Sequence, residues 1–159
     1  MLNNTKHIFI IGMMGSGKTT LAGILSNILN IPYIDTDQDL TASLNLAIEE
    51  IIHSLSEKKF RALESEYFIK HLKNNQHIYS TGGGIILNQN NRIAMKKYGK
   101  TILLHTSAKE LFHRLINDTS NKRPYFEKNK NEKFLNNLWD ERKTYYTECA
   151  DYIIRTDTK

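Results

Sequence analysis

One motif in the sequence has a well-defined chemical use: GMMGSGKT at residues 12–19 has the spacing of a phosphate-binding P-loop. The residues before it predict a strand, and the pattern after it predicts a helix. Glycines in such a loop let successive backbone N–H groups wrap around phosphates at the helix N-terminus. Lys18 then adds a positive charge at the terminal phosphates, and the Thr19 hydroxyl can bind magnesium. The alternative, a glycine-rich turn without function, does not account for the strand and helix on either side.

Two aspartates, Asp35 and Asp37, follow the next apolar run in the segment YIDTD. On one strand, residues two apart project from the same face, so we expect the two carboxylates to lie side by side. Like charges repel unless a cation or a hydroxyl-bearing ligand lies beside them. Acidic residues at such junctions are commonly only helix caps, which is the simpler interpretation of the pair taken alone. Beside a P-loop, the pair instead predicts a carboxylate that holds magnesium through water and a group that orients an acceptor hydroxyl.

Three of the eight glycines in the chain are consecutive, Gly82, Gly83 and Gly84, in the stretch YSTGGGII. Glycine loses the most backbone entropy on folding, so a triple run indicates a backbone that bends sharply or lies very close to another group. A tight connection between a strand and a helix is the simpler alternative.

Apolar β-type runs alternate with longer amphipathic segments along the chain. Strands are predicted at residues 7–11, 33–37, 77–81, 101–106 and 152–156, and helices at 17–29, about 47–55, 57–73, about 90–98, 108–117 and 132–149. This alternation predicts a parallel sheet covered by helices on both faces, with binding sites at the carboxyl ends of the strands. The polar segment 117–131 fits neither pattern and is typical of a lid or a disordered segment.

Composition narrows the class of protein. The 159 residues carry a formal net charge of +5, and we expect one globular domain over residues 1–159. Its lysines form scattered pairs without interleaved aromatic residues, which indicates a solvated surface and no nucleic-acid partner. The single cysteine, Cys149, excludes an internal disulfide framework and fits the cytoplasm, and the six histidines lack the spacing of a zinc site. The run IFIIGMM leads into the P-loop, so we interpret it as a strand and not as a signal peptide, and we expect neither a membrane span nor an oligomer.

Six segments together resemble the shikimate kinase family in order and approximate spacing: GMMGSGKTT, IDTDQDL, FRALESE, STGGGII, KRPYF and DERKTYY. Many families share the P-loop, but the combination of the six is far more specific and extends over nearly the whole chain. The resemblance implies the three-layer α/β fold of P-loop kinases, with a five-stranded parallel sheet in the order 2-3-1-4-5. It also implies a substrate-binding region at about residues 35–75 and a mobile lid at about 118–130. The family usually continues past the last strand, through an adenine-contacting loop and a final helix, whereas this sequence stops at Lys159.

The resemblance assigns roles to individual residues. ATP would be bound by Gly12, Gly15, Ser16, Gly17, Lys18, Thr19, Thr20, Arg114 and Arg123, with Arg114 stacked on adenine. Thr19 and, through water, Asp35 would hold one Mg²⁺ ion. Shikimate would be bound by Asp37, Arg61, Gly82, Gly83, Gly84 and Arg142, with the two arginines on its carboxylate. Lys18, Asp37 and Arg123 would act in catalysis, and Arg123 would swing in from the lid toward the transferring phosphate.

The implied activity is ATP-dependent phosphorylation of the 3-hydroxyl of shikimate, with ATP and shikimate as the ligands. A polyhydroxy acid bound flat against the backbone would explain the triple glycine, because a Cβ would leave it no room. Surface salt bridges with Glu64 and Glu141 are the alternative interpretation of Arg61 and Arg142, and a solvated loop position is that of Arg123. Two other activities remain open: a related small-molecule or nucleotide kinase such as gluconate kinase, and a P-loop switch or nucleic-acid-stimulated ATPase. The last would require a guanine-reading motif or a concentrated basic face, and the sequence contains neither.

Overall fold

The computed structural model describes residues 6–45, 50–51, 56–118 and 124–157. Five strands form one parallel sheet in the order β2-β3-β1-β4-β5: β1 (His7–Gly12), β2 (Tyr33–Asp35), β3 (Ile78–Ser80), β4 (Gly99–His105) and β5 (Tyr152–Arg155). This confirms the predicted sheet order. Because β1 is central, the P-loop that follows it lies in the middle of the carboxyl edge of the sheet.

Besides the two helical residues Glu50 and Ile51, the described part of the chain contains seven helices: α1 (Lys18–Leu29), α2 (Thr36–Leu44), α3 (Glu57–Lys70), α4 (Gln89–Tyr98), α5 (Ala108–Asn117), α6 (Pro124–Glu127) and α7 (Glu132–Cys149). A 3₁₀ turn (Ile85–Leu87) follows the triple glycine. Helices α1, α4, α5 and α7 agree with the predicted bounds within one residue. The predicted helix at about 47–55 lies mostly outside the described residues. Glu50 and Ile51 are the two described positions within it, and both are helical.

The prediction was wrong at the end of the second strand, which ends at Asp35 and not at residue 37. The Asp35 carboxylate caps α2, because its Oδ1 accepts hydrogen bonds from the backbone N–H groups of Asp37 and Gln38, both at 3.2 Å. Asp37 therefore lies in the first turn of a helix. The two aspartates do not lie side by side on one strand.

The end of α3 was also predicted wrongly, at residue 73 instead of Lys70. His71 caps this helix, and its Nδ1 lies 2.8 Å from the carbonyl oxygen of Tyr67. The chain then turns away, since the backbone N–H of Lys73 donates to the Tyr79 hydroxyl at 2.9 Å. Tyr79 lies on β3, so this hydrogen bond directs the chain into the sheet.

Alternate residues of the central strands enter two separate cores, which accounts for the three layers of the fold. Ile10 packs with Ala22 of α1 on one face of the sheet, whereas Phe9 and Ile11 belong to a larger cluster with α3, α4, α5 and α7 on the other. Strands that are buried on both faces are apolar throughout, which is why they could be found from the sequence.

The described end of the predicted lid is anchored in this larger core. Phe126 of α6 is 1% exposed and meets Phe112 edge to face, with ring centroids 6.0 Å apart. The described helices include none that is both long enough and apolar enough to cross a lipid bilayer.

Candidate active site

The P-loop connects β1 to α1 through backbone conformations that favour glycine. Gly15 and Gly17 have φ angles of 78° and 94°, in the left-handed region. At Gly12, an added Cβ would come within 2.6 Å of the Leu104 carbonyl oxygen and 2.8 Å of Ser16 Oγ. Lys18 folds back over the loop, where its ammonium group donates to the carbonyl oxygens of Gly12 and Met13 at 3.0 and 2.9 Å.

Beside the loop, three oxygen-bearing side chains meet at the ends of three elements. The Thr19 hydroxyl donates to Asp35 Oδ2 at 2.7 Å, and Ser80 donates to the same oxygen at 3.2 Å. The two hydroxyl oxygens lie 3.0 Å apart. The structure therefore brings the predicted metal residues Thr19 and Asp35 together and adds Ser80. Position alone could have suggested Ser80, since it ends a strand two residues before the triple glycine.

The triple glycine lies on the other side of this cluster, and a side chain at two of its members would have to displace a charged side chain. A Cβ at Gly82 would lie 2.5 Å from Asp37 Oδ1 and 3.0 Å from Glu64 Oε1. A Cβ at Gly84 would come within 2.5 Å of the two terminal guanidinium nitrogens of Arg61. At Gly83 the same atom would make ordinary contacts with the P-loop, 3.5 Å from the Gly12 oxygen and 3.6 Å from the Met14 nitrogen. The glycines therefore let Asp37, Arg61 and the P-loop approach one backbone segment.

Arg61 and Glu64 form a largely buried ion pair on α3, not the surface salt bridge of the alternative interpretation. Arg61 Nη1 donates to both carboxylate oxygens, at 3.0 and 2.9 Å, and the Glu64 side chain is only 6% exposed. Burial raises the pKa of Glu64, while the positive charges of Arg61 and Arg142 oppose that shift and the charge of Asp37 adds to it. The pairing of Glu64 with Arg61 was anticipated as a surface salt bridge, but its burial was not, because a glutamate three residues after an arginine on a helix is usually a solvated partner.

Arg142 approaches the triple glycine from α7. It is 7% exposed and donates to the Gly83 carbonyl oxygen at 3.3 Å. Tyr146, one helical turn later, donates to that oxygen at 2.5 Å. This contact could not be predicted from a local pattern, because Tyr146 and Gly83 are 63 positions apart. Two guanidinium groups, the Asp37 carboxylate and the glycine backbone thus lie together beside the P-loop, and we call this group of residues the acid pocket.

A cleft of about 470 Å³ opens on the opposite side of the P-loop. Its lining combines P-loop residues with residues of α1, β4, α5 and β5 and the residue that follows β5: Gly15, Ser16, Gly17, Thr20, Leu21, Ile24, Leu104, Arg114, Ile154 and Thr156. Arg114 is held there by Glu110, whose Oε1 accepts from Arg114 Nε at 2.8 Å, and by the carbonyl oxygen of Thr156. Arg123 lies outside the described residues.

A family model described as shikimate kinase matches residues 14–159. The chain belongs to the shikimate kinase family. A shikimate kinase of Enterococcus faecalis is 35% identical over 152 residues, which are 96% of this chain and 89% of that protein. A shikimate kinase of Bacillus mycoides is 38% identical over 154 residues, which are 97% of this chain and 90% of that protein.

Solved shikimate kinases also share the fold of this chain. The enzyme of Acinetobacter baumannii, in complex with shikimate, has a TM-score of 0.86 at 28% identity and covers 98% of this chain and 86% of its own. The enzyme of Bacteroides thetaiotaomicron has a TM-score of 0.84 at 31% identity, with 94% and 86% covered. A gluconokinase of Sinorhizobium meliloti, at 14% identity and a TM-score of 0.56, shares the fold alone.

Proposed function

We propose that this chain transfers the terminal phosphoryl group of ATP to the 3-hydroxyl of shikimate, forming shikimate 3-phosphate for chorismate and aromatic amino-acid synthesis. The observation that carries this proposal is the position of Gly83, which lies against the P-loop backbone and whose carbonyl faces Arg142 of the acid pocket. The phosphate-binding loop and one of the two arginines proposed to bind a small acid therefore both contact this one residue. Family membership supplies the identity of the acid.

ATP binds with its phosphates on the P-loop and its base in the cleft beside Arg114. The residues fit this ligand, because Gly15, Ser16 and Gly17 of the P-loop also line the cleft, together with Thr20. Lys18 must leave the carbonyl oxygens of Gly12 and Met13 to reach the phosphates. Arg123, on the lid, would add a second positive charge at the transferring group.

The hydroxyl and carboxylate cluster fits one Mg²⁺ ion. Hard oxygen ligands suit magnesium, which retains several waters and is commonly bound through phosphates and one or two carboxylates. Thr19 would hold the ion directly and Asp35 through water, with Ser80 fixing the Asp35 carboxylate. When bound, the ion neutralises charge that develops on the phosphoryl oxygens.

Shikimate binds in the acid pocket with its carboxylate on Arg61 and Arg142, since planar guanidinium groups match carboxylates in a bidentate manner. Its ring lies along Gly82, Gly83 and Gly84, where a side chain at either end would collide with Asp37 or Arg61. Asp37 binds the ring hydroxyls and orients the one that attacks. A loose phosphoryl-transfer transition state requires positioning more than a strong base.

ADP release in a coupled assay tests this function, with MgATP and either shikimate, gluconate or a nucleoside monophosphate. We expect turnover with shikimate alone. Trp139 fluorescence gives an independent binding signal, because Trp139 stacks on Tyr146 at a centroid distance of 5.7 Å beside the acid pocket. Turnover that depended on gluconate or a nucleotide and ignored shikimate would overturn the proposal.

A further inference from the structure

The carbonyl group of Gly83 is bonded differently from the carbonyls on either side of it. The oxygens of Gly82 and Gly84 accept backbone N–H groups of Ile85 and Leu87, at 3.2 and 3.0 Å, within the 3₁₀ turn. The Gly83 oxygen accepts from two side chains of α7, Tyr146 and Arg142. The orientation of this peptide therefore depends on a helix that begins about fifty residues later.

Of the two donors, Tyr146 makes the shorter hydrogen bond, at 2.5 Å against 3.3 Å for Arg142. Its ring is 1% exposed and stacks on Trp139 with an interplanar angle of 15°, so the hydroxyl has little freedom to move. Burial raises the pKa of Tyr146 to about 12, and the hydroxyl consequently remains a donor throughout the working pH range.

Arg142 has five N–H donors, and each one that serves the Gly83 carbonyl is unavailable to a substrate carboxylate. The short hydrogen bond from Tyr146 satisfies that carbonyl and reduces its demand on Arg142. We infer that Tyr146 is a positioning residue for the acid substrate: by supplying the shorter hydrogen bond to the Gly83 carbonyl, it lets more of the Arg142 guanidinium donors bind the substrate carboxylate. This inference rests on the proposed function.

Tyr146→Phe tests the inference, because it retains the stacked ring and removes only the donor. We expect the KM for shikimate to rise about tenfold, the effect of one lost hydrogen bond, while kcat and the KM for ATP stay within about twofold. Tyr145→Phe is the matched control, since it removes a hydroxyl from the adjacent residue, whose ring lies over Arg92 away from Gly83. It should leave the KM for shikimate unchanged.

A double-mutant comparison separates positioning through Arg142 from a general structural effect. In an Arg142→Ala background, Tyr146→Phe should add little further increase in KM, because the residue through which it acts is gone. An equal increase in both backgrounds, or a parallel fall in kcat, ATP affinity and melting temperature, would overturn the inference. So would an unchanged KM in Tyr146→Phe when the wild-type protein phosphorylates shikimate, and that result would leave the proposed function intact. A wild-type protein without shikimate-dependent turnover would refute both.

Discussion

Arg61 is bonded to a carboxylate of the protein itself, Glu64, which gives its replacement two separable effects. Arg61→Ala should raise the KM for shikimate about ten- to a hundredfold, because a charge-assisted contact to the substrate is lost. It should also lower the free energy of unfolding by about 3 kcal/mol, since Glu64 stays buried without that cation. Steady-state kinetics and chemical denaturation measure the two effects.

Adding Glu64→Gln to Arg61→Ala should restore part of the lost stability and none of the shikimate affinity, because the amide removes the buried charge without replacing the guanidinium. Full recovery of the KM in the double variant would show that Arg61 does not contact the substrate.

Glu64 should also make stability depend on pH. Its pKa is raised in the folded protein, chiefly by burial, so the folded state binds this proton more tightly than the unfolded state. The resulting stabilisation is present below the ordinary carboxyl pKa and is lost as the pH rises through the raised value. Melting temperatures across this range should show a decline in the wild type that Glu64→Gln lacks. Parallel pH profiles for the two proteins would contradict the assignment.

Asp35 links the start of α2 to the proposed metal site. One carboxylate oxygen caps the helix, and the other accepts hydrogen bonds from the hydroxyls of Thr19 and Ser80. Asp35→Ala should lower the free energy of unfolding by about 1 kcal/mol, as expected for a lost cap, and should increase the magnesium concentration needed for half-maximal activity. Denaturation and a magnesium titration of turnover measure these effects.

Ser107→Ala is the matched control for Asp35, since Ser107 caps α5 by accepting from the Glu110 N–H at 3.3 Å and lies on another helix. Its stability loss should be similar and its magnesium requirement unchanged. If Asp35→Ala behaved in the same way, Asp35 would be a cap only.

We expect two residues of the lid to have different roles, Phe126 in anchoring it to the core and Arg123 in catalysis. Phe126→Ala should destabilise the protein by about 3 to 5 kcal/mol, because it empties a core position. Arg123→Ala should leave stability unchanged and lower kcat about a thousandfold, the effect of losing an arginine that contacts the transferring phosphoryl group. Turnover above about a tenth of the wild-type value in Arg123→Ala would mean that this arginine is not needed.

Elements could be predicted from the sequence wherever a local pattern determines them. Helix α7 was predicted with its observed bounds from its amphipathic period, and the P-loop from its spacing. Helix α2 was missed because Leu40 is its only buried residue among Thr36–Leu44, and a cap, not an apolar face, determines where it begins. The strand order came from the family resemblance, since pairing between strands distant in sequence leaves no local pattern.

The site was only partly predictable, for the same reason. Gly84 and Arg61 could each be singled out by residue type, but their close approach depends on how α3 packs beside the 3₁₀ turn. The buried state of Glu64 and the contact of Tyr146 with Gly83 both require the assembled sheet. The roles assigned to the site residues stay predictions until the variants are measured.

Several large apolar side chains are exposed in the described part of the molecule. Ile28 of α1 is 72% exposed, and Tyr152 and Ile154 of β5 are 58% and 44% exposed. Ile28→Lys should therefore raise the solubility limit and change the free energy of unfolding by less than about 0.5 kcal/mol. Leu25→Lys, on the same helix but packed against the core, should instead destabilise the protein. A marked loss of stability in Ile28→Lys would show that this side chain is buried in solution.

The two hydrogen bonds that α7 makes to Gly83 also determine when the site can form during translation. A ribosome has translated the P-loop, both aspartates and all three consecutive glycines well before it reaches Arg142 and Tyr146. The cleft beside the P-loop likewise needs Ile154 of the last strand and Thr156 just after it. A nascent or prematurely terminated chain that lacks these residues would carry the whole P-loop motif but no assembled site. We expect such a chain not to consume ATP in the cell.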